Sequence, residues 1–234
     1  MSFNIKNIQF DYNSVVIINY LLLSLLAWFI NTITHGKANK YFFSSYRSSL
    51  INPLTYLRLF THSIGHANWD HFVHNFIYIL LIGPMIEEKY GSINLIIMLL
   101  LTSLIIGIYN SLFTKYSICG ASGNVYMLIV LSSFANISEG KIPLTVLLIL
   151  IFYVISEIKN KVIKKHDNAY HDGHILGALC GILFGIYFLN HNSLLDILSS
   201  LVNIFWYCLV KLALDFSFWQ IWFNKLSNLE QSLK

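Results

Sequence analysis

Four long stretches of this chain contain no Asp, Glu, Lys or Arg: Tyr12 to Thr34, Ser92 to Thr114, Tyr116 to Ser138 and Gly173 to Leu195. A helix needs about 20 mostly apolar residues to cross the hydrocarbon of a bilayer, and each stretch is long enough. Two shorter apolar runs, Phe72 to Ile86 and Ile142 to Ser156, bring the spanning candidates to six. Helices and closed barrels are the only structures that satisfy their own backbone in lipid, so the expected class is an all-α, multi-pass membrane protein. Composition agrees, with 56% hydrophobic and 11% charged residues. A soluble domain carries about 25% charge on its surface. Disorder is excluded by the same hydrophobicity. A formal net charge of +4 without a basic stripe gives no support to nucleic-acid binding.

The first run is too long and too weakly flanked, by Lys6 alone, for a cleaved signal peptide, and reads as a retained anchor. After Asp196 a seventh segment, Ile197 to Phe223, is interrupted by Lys211 and Asp215. It ends in an aromatic cluster of the kind found at membrane interfaces. Both a spanning and an interfacial placement stay open. Cys119, Cys180 and Cys208 are odd in number and lie in or beside apolar runs, so they read as small buried residues. The connection from His35 to about Asp70 is long enough to require structure of its own. With no repeat or linker, residues 1–234 read as one domain, its core at about 12–195.

Polar side chains inside a bilayer are costly and usually functional. Three groups stand out: His62, His66, His71, His74 and Asn75 at the start of the second segment; Gly120-Ala121-Ser122-Gly123 opening the fourth; and His171-Asp172-Gly173-His174 opening the sixth. In a chain of alternating spans these segments run in one direction, so the three groups converge on one side. Ser122 lies seven positions after Lys115. Helical rise would place it at most about 10 Å deep.

A serine hydroxyl becomes a nucleophile when a base removes its proton, and histidine has the pKa for that near neutrality. Ser122 and His174 are the candidates. Gly120 and Gly123 let the backbone turn and approach closely beside Ser122. His71 and Asn75, four apart on one helical face, are donors of the type that hold an oxyanion. Tyr126, one turn after Ser122, could pack on the His174 ring. Gly177, Gly181 and Gly185 repeat every four residues and form a smooth face for close packing. If that face meets the fourth segment, the base is carried to the hydroxyl. His62, His66 and His74 read as structural, Glu87 with Glu88 as a helix-end cluster, and Asp172 as a solvated loop carboxylate.

These residues resemble the rhomboid family of intramembrane serine proteases over about Tyr56 to Leu189. The similarity includes Arg58-Leu-Phe-Thr-His62, then His66, His71, Asn75, Gly83, Glu87 and Gly91. It continues with Gly120-Ala-Ser122-Gly123, Tyr126, and His174-Ile-Leu-Gly177 with Gly181. The resemblance implies a six-helix transmembrane bundle in which Ser122 is the nucleophile and His174 the base. It implies that His71, Asn75 and the Ser122 N–H stabilise the oxyanion, with Tyr126, Gly120, Gly123 and Gly177 in support and no cofactor or metal. It also gives Glu87 a fold-supporting hydrogen-bond role. Substrates would be transmembrane proteins cleaved in the bilayer, in a cell membrane; no oligomeric state is implied.

Two features depart from the family pattern. Leu57 stands where many members have tryptophan. Under the family's usual orientation, Lys6, Lys89 and Lys141 face nine basic residues on the other side, against the positive-inside rule. Two rival readings remain: an inactive rhomboid-like protein that binds transmembrane clients, and a zinc hydrolase using His66, His71, His74, His171 and His174. No His-Glu-x-x-His motif supports the second.

Overall fold

The structure, a computed structural model, describes residues 13–135, 144, 148, 151, 155, 168–190 and 203. The chain divides into two compact units, Met1–Asn192 and Ser193–Lys234. The second, with the expected seventh segment 197–223, lies outside the described residues except for Asn203. The fifth candidate span also lies mostly outside them, although Leu144, Leu148, Ile151 and Ile155 are helical and exposed.

Seven helices are described in the first unit: α1 Val15–Ile33, α2 Lys37–Tyr41, α3 Pro53–Thr61, α4 Trp69–Tyr90, α5 Ser92–Phe113, α6 Ser122–Ala135 and α7 Asn168–Asn190. Among the described residues the chain is all-helical, with one isolated antiparallel bridge between Ser45 and Ile118. Three helices, α1, α5 and the Asp172–Leu189 part of α7, are long and apolar enough to cross a membrane.

Their polarity is inverted relative to a soluble bundle. In α1 the buried stripe Ile17, Tyr20, Ser24, Ala27 and Asn31 follows helical spacing and includes polar residues, while Leu22, Leu23, Leu26 and Phe29 point outward. In α5 the buried face holds Asn94, Thr102, Ser103 and Asn110. Contiguous outward leucines are disfavoured in water and favoured in hydrocarbon. The protein is an integral membrane protein.

The long connection before α4 has the structure its length required. Asn52 caps α3 by accepting from the Leu54 N–H at 3.0 Å, with Pro53 at the first helical position. Arg58, 2% exposed, donates to the Tyr41 carbonyl at 3.2 Å and the Ser48 hydroxyl at 2.7 Å, and stacks over the Tyr46 ring. Arg47 donates to the Leu112 carbonyl. Two of the nine basic residues counted above are thus committed to holding this connection together.

Helix α4 begins at Asn68, whose side chain accepts from the His71 N–H at 2.8 Å. At its other end Glu87 accepts from the Ser14 hydroxyl at 2.6 Å, the Val16 N–H at 3.1 Å and the Ser92 hydroxyl at 2.7 Å. A carboxylate against the unpaired N–H groups of the first turn of α1 is favourable for both charge and hydrogen bonding. Glu87 is therefore not a surface helix-end charge: it joins α1, α4 and the start of α5.

Helix α6 is central. Gly123, Asn124, Val125, Met127, Leu128, Val130 and Leu131 are all buried, as expected for a helix apolar on every side. It packs most extensively on α7, then on α4. The glycine stripe makes the first contact possible. A Cβ at Gly177 would lie 2.1 Å from the Gly123 carbonyl oxygen, and one at Gly181 2.6 Å from that of Met127.

Candidate active site

Helix α6 begins at Ser122, although the uncharged run begins at Tyr116. Residues between Thr114 and Ser122 are irregular backbone, which is tolerated at membrane depth only when protein groups satisfy it. They do so here. Ile118 exchanges both backbone bonds with Ser45, at 2.9 and 3.0 Å. The Gly120 N–H donates to the His62 carbonyl at 2.8 Å, and the Ala121 N–H to His66 Nε2 at 3.4 Å. Asn110 Nδ2 donates to the Tyr116 carbonyl. Because this segment is not helical, the depth of about 10 Å derived from helical rise has no basis for Ser122.

Two histidines therefore brace the segment before Ser122. His62 Nε2 donates to the Ser103 carbonyl at 2.9 Å, and His66 Nδ1 donates to the Ile64 carbonyl at 3.2 Å, because a carbonyl can only accept. With its proton on Nδ1, His66 keeps Nε2 free to accept from Ala121. Burial pushes the His62 imidazole down to about 4 and that of His66 to about 3, so both are neutral at neutral pH. His74 sits apart, its Nδ1 against the Asp70 carbonyl on the exposed side of α4.

Gly120 has φ +132°, a conformation that side chains rarely adopt. A Cβ there would lie 2.5 Å from His71 Cε1, 2.8 Å from its Nε2 and 3.6 Å from Asn75 Nδ2. The backbone before Ser122 thus lies directly on the His71 and Asn75 side chains. Asn75 is buried and its Nδ2 has no acceptor among the described residues. Such an orphaned donor costs stability and requires an explanation.

From the other side, α7 brings His174. Its ring packs on the Tyr126 ring with centroids 4.4 Å apart. Gly123 meets Gly177, and a Cβ on Gly123 would lie 3.4 Å from the Gly173 carbonyl. The residues on either side of His174 along this helical face thus touch the residue after Ser122. Ser122, His174, Tyr126, Gly120, Gly123, Gly177, His71 and Asn75 form one neighbourhood where α4, α6 and α7 meet.

Helix α7 starts at Asn168, so Asp172 and His174 lie within its first two turns rather than in the loop before it. Asp172 is half-buried and accepts from the Tyr109 hydroxyl at 3.1 Å, joining α7 to α5. The sequence reading of a solvated loop carboxylate is corrected on both points. Among the described residues, no three His, Cys, Asp or Glu side chains gather as metal ligands would. The His171 side chain lies outside them.

Behind Ser122 lies a small hollow of about 20 Å³, lined by Ser122, Gly120, His62, Ser103, Asn124 and Cys119 among others. Asn124 and Ser103 were not singled out in the sequence. The available signal was their polarity inside uncharged runs, two residues after Ser122 and mid-way along α5. Asn124 Nδ2 donates to the Tyr20 hydroxyl at 3.1 Å and the Ser103 hydroxyl at 3.2 Å.

A family model described as the rhomboid domain matches residues 53–191, more than half of the chain. Comparison with curated protein sequences found no match. The matched region runs from α3 to the end of α7 and contains every side chain of this neighbourhood. On that match, and with the inverted polarity of its helices, the chain belongs to the rhomboid family, whose members are intramembrane serine proteases and their inactive relatives.

Proposed function

We propose that this protein is an intramembrane serine endopeptidase that cleaves transmembrane protein substrates, with Ser122 as nucleophile and His174 as base. The observation that carries this reading is the packing of α6 on α7. The Tyr126 ring covers the His174 imidazole at 4.4 Å, and Gly123 is pressed onto the α7 backbone, so hydroxyl and imidazole arise from facing turns.

In this reading the Ser122 Oγ attacks the scissile carbonyl carbon while its proton passes to His174. The carbonyl oxygen becomes an oxyanion held by His71, Asn75 Nδ2 and the Ser122 N–H. The Asn75 donor supports that role, because it is buried and has no acceptor among the described residues. The His174 imidazolium then protonates the leaving amine as the C–N bond breaks. A water, deprotonated by His174, hydrolyses the acyl ester and restores the serine. The hollow of about 20 Å³ beside Ser122 is large enough for about one water. The substrate is a membrane-spanning segment in the same cell membrane, reaching the site from the bilayer.

The test is labelling by a fluorophosphonate in detergent or vesicles, alongside cleavage of a transmembrane substrate. Wild type labels and cleaves, and Ser122→Ala does neither while its thermal unfolding is retained. His174→Ala loses cleavage by several orders of magnitude. Client binding by a wild type that neither labels nor cleaves would assign the protein to the inactive relatives. Activity abolished by chelators in the absence of labelling would assign it to the zinc reading.

A further inference from the structure

The catalytic reading needs the His174 ring to face Ser122, and the glycine stripe secures only part of that. Gly177 against Gly123 and Gly181 against the Met127 carbonyl set how closely α6 and α7 approach. Glycine has no side chain, so these contacts do little to resist rotation of α7 about its own axis. For an imidazole about 5–6 Å from that axis, a rotation of about 20° is a displacement of about 2 Å. A misplacement of about 1 Å can lower a rate about 10²-fold. Another contact must set the rotation.

Helix α5 holds both residues immediately before His174. The Tyr109 hydroxyl donates to the Asp172 carboxylate at 3.1 Å. One turn earlier on the same face of α5, Ile106 lies 3.6 Å from where a Gly173 Cβ would be, and it also packs on Gly123 and Leu176. Ile106 is an apolar contact that can slide, whereas the hydrogen bond is directional. Successive helical residues are about 100° apart, so Asp172 and His174 point to nearly opposite sides of α7. Holding Asp172 against α5 therefore turns His174 away from α5, onto the side it shares with Gly177. That side meets Gly123 and Tyr126.

We propose that Tyr109 is a positioning residue: its hydrogen bond to Asp172 sets the rotation of α7 and so aims His174 at Ser122. The proposal deepens the serine-protease reading, and its consequence for rate rests on that reading. What the bond needs from residue 172 is an acceptor oxygen, which an asparagine amide also offers. Tyr109→Phe removes that bond alone, because it takes one oxygen from a half-buried ring and leaves the packing in place.

The experiment follows the His174 ring by NMR of full-length protein labelled with 13Cε1-histidine, in detergent micelles. The His174 resonance is assigned by its loss in His174→Gln, and Tyr126→Leu gives its position without the neighbouring ring. Spectra are compared on the alkaline plateau, where the imidazole is neutral in every variant. Tyr109→Phe is expected to move the resonance about half-way toward the Tyr126→Leu position, while Asp172→Asn leaves it at wild type. In cleavage of a transmembrane substrate, below the unfolding temperature of each variant, Tyr109→Phe should lower kcat about 10–100-fold with KM within about twofold. Asp172→Asn should keep most of the wild-type kcat. An unmoved resonance in Tyr109→Phe overturns the proposal, and so does a moved resonance with unchanged kcat. An Asp172→Asn protein that behaves like Tyr109→Phe overturns it as well, because the charge and not the bond would then be at work. A wild type that neither labels with fluorophosphonate nor cleaves rejects the protease reading alone, and the resonance still decides whether Tyr109 holds the ring.

Discussion

Asn75 and His66 show how differently two buried polar side chains can serve one segment. The Asn75 amide has a donor with no acceptor among the described residues, so its removal relieves a desolvation cost while deleting the proposed oxyanion partner. Asn75→Ala is therefore expected to lower kcat by about 10²–10³ with KM little changed, as for loss of one oxyanion donor. Its unfolding temperature should stay within a few degrees of wild type. Cleavage kinetics with thermal unfolding on the same preparation check this. A joint collapse of activity and stability would make Asn75 structural. His66, by contrast, is paired at both ring nitrogens and must be neutral to accept from Ala121. Its folded pKa and that of His62 lie below the ordinary value of 6.5. The contribution to stability is thus complete above about pH 6.5 and declines as pH falls toward 3–4, because only the unfolded chain takes up the protons. Between pH 7.5 and 5 each histidine should cost about 2 kcal/mol. Unfolding followed across that range should show a loss that His66→Gln reduces.

At the level of helices, one contact sets the relation of the two proposed catalytic groups. Gly123 and Gly177 meet backbone to backbone, and no side chain fits between them. Gly177→Ala forces α6 and α7 apart and should destabilise the protein by about 1–3 kcal/mol, as overpacking does. Fluorophosphonate labelling should fall with it, because the displaced backbone is next to Ser122. Gly173→Ala is the control one turn earlier. Among the described residues its Cβ would meet Ile106 at 3.6 Å, an ordinary contact, and both readouts should be near wild type. If the two variants behave alike, close packing at 177 is not what sets the geometry. The segment before α6 has the complementary task of holding the hydroxyl from behind, through Ser45, His62 and His66.

Across the whole bundle, Glu87 and His71 mark opposite ends of α4, sixteen positions or about 24 Å apart. Glu87 fixes the start of α1 to α4 and α5, far from Ser122. Glu87→Gln keeps much of the shape but replaces a charged acceptor, and hydrogen bonds to charged groups contribute about 1.5–3 kcal/mol. The expected outcome is a lower unfolding temperature and faster hydrogen exchange at Val16 and Ile17, with fluorophosphonate labelling unchanged at temperatures where the variant is folded. Lost labelling in a folded variant would show that the two ends of the bundle are coupled. The inverted polarity of α1 and α5 belongs to this scale as well. Their leucines face outward because the surrounding solvent is hydrocarbon, and their polar residues face inward because only the protein interior offers partners.

Local rules made much of this legible. Uncharged runs marked α1, α5 and α7, because hydropathy over about 20 residues is a one-dimensional property. The alternation of spans, with no coordinates, set the three polar groups on one side. The glycine stripe announced a close helix contact through its period alone. Other features depended on partners remote in sequence. That α6 begins at Ser122 instead of Tyr116 follows from bonds to Ser45, His62 and His66, which no window around residue 120 contains. Asp172 changed from a solvated charge to a half-buried acceptor because Tyr109 reaches it from α5. Glu87 needed Ser14 and Val16, more than 70 residues away, to become a cap. The sequence by itself determined that α1, α5 and α7 are apolar enough to cross the bilayer, since the transfer free energy of each is nearly its own. Only the tertiary structure decided which polar groups find partners, because hydrocarbon offers none and the side chains that answer them come from segments remote in sequence.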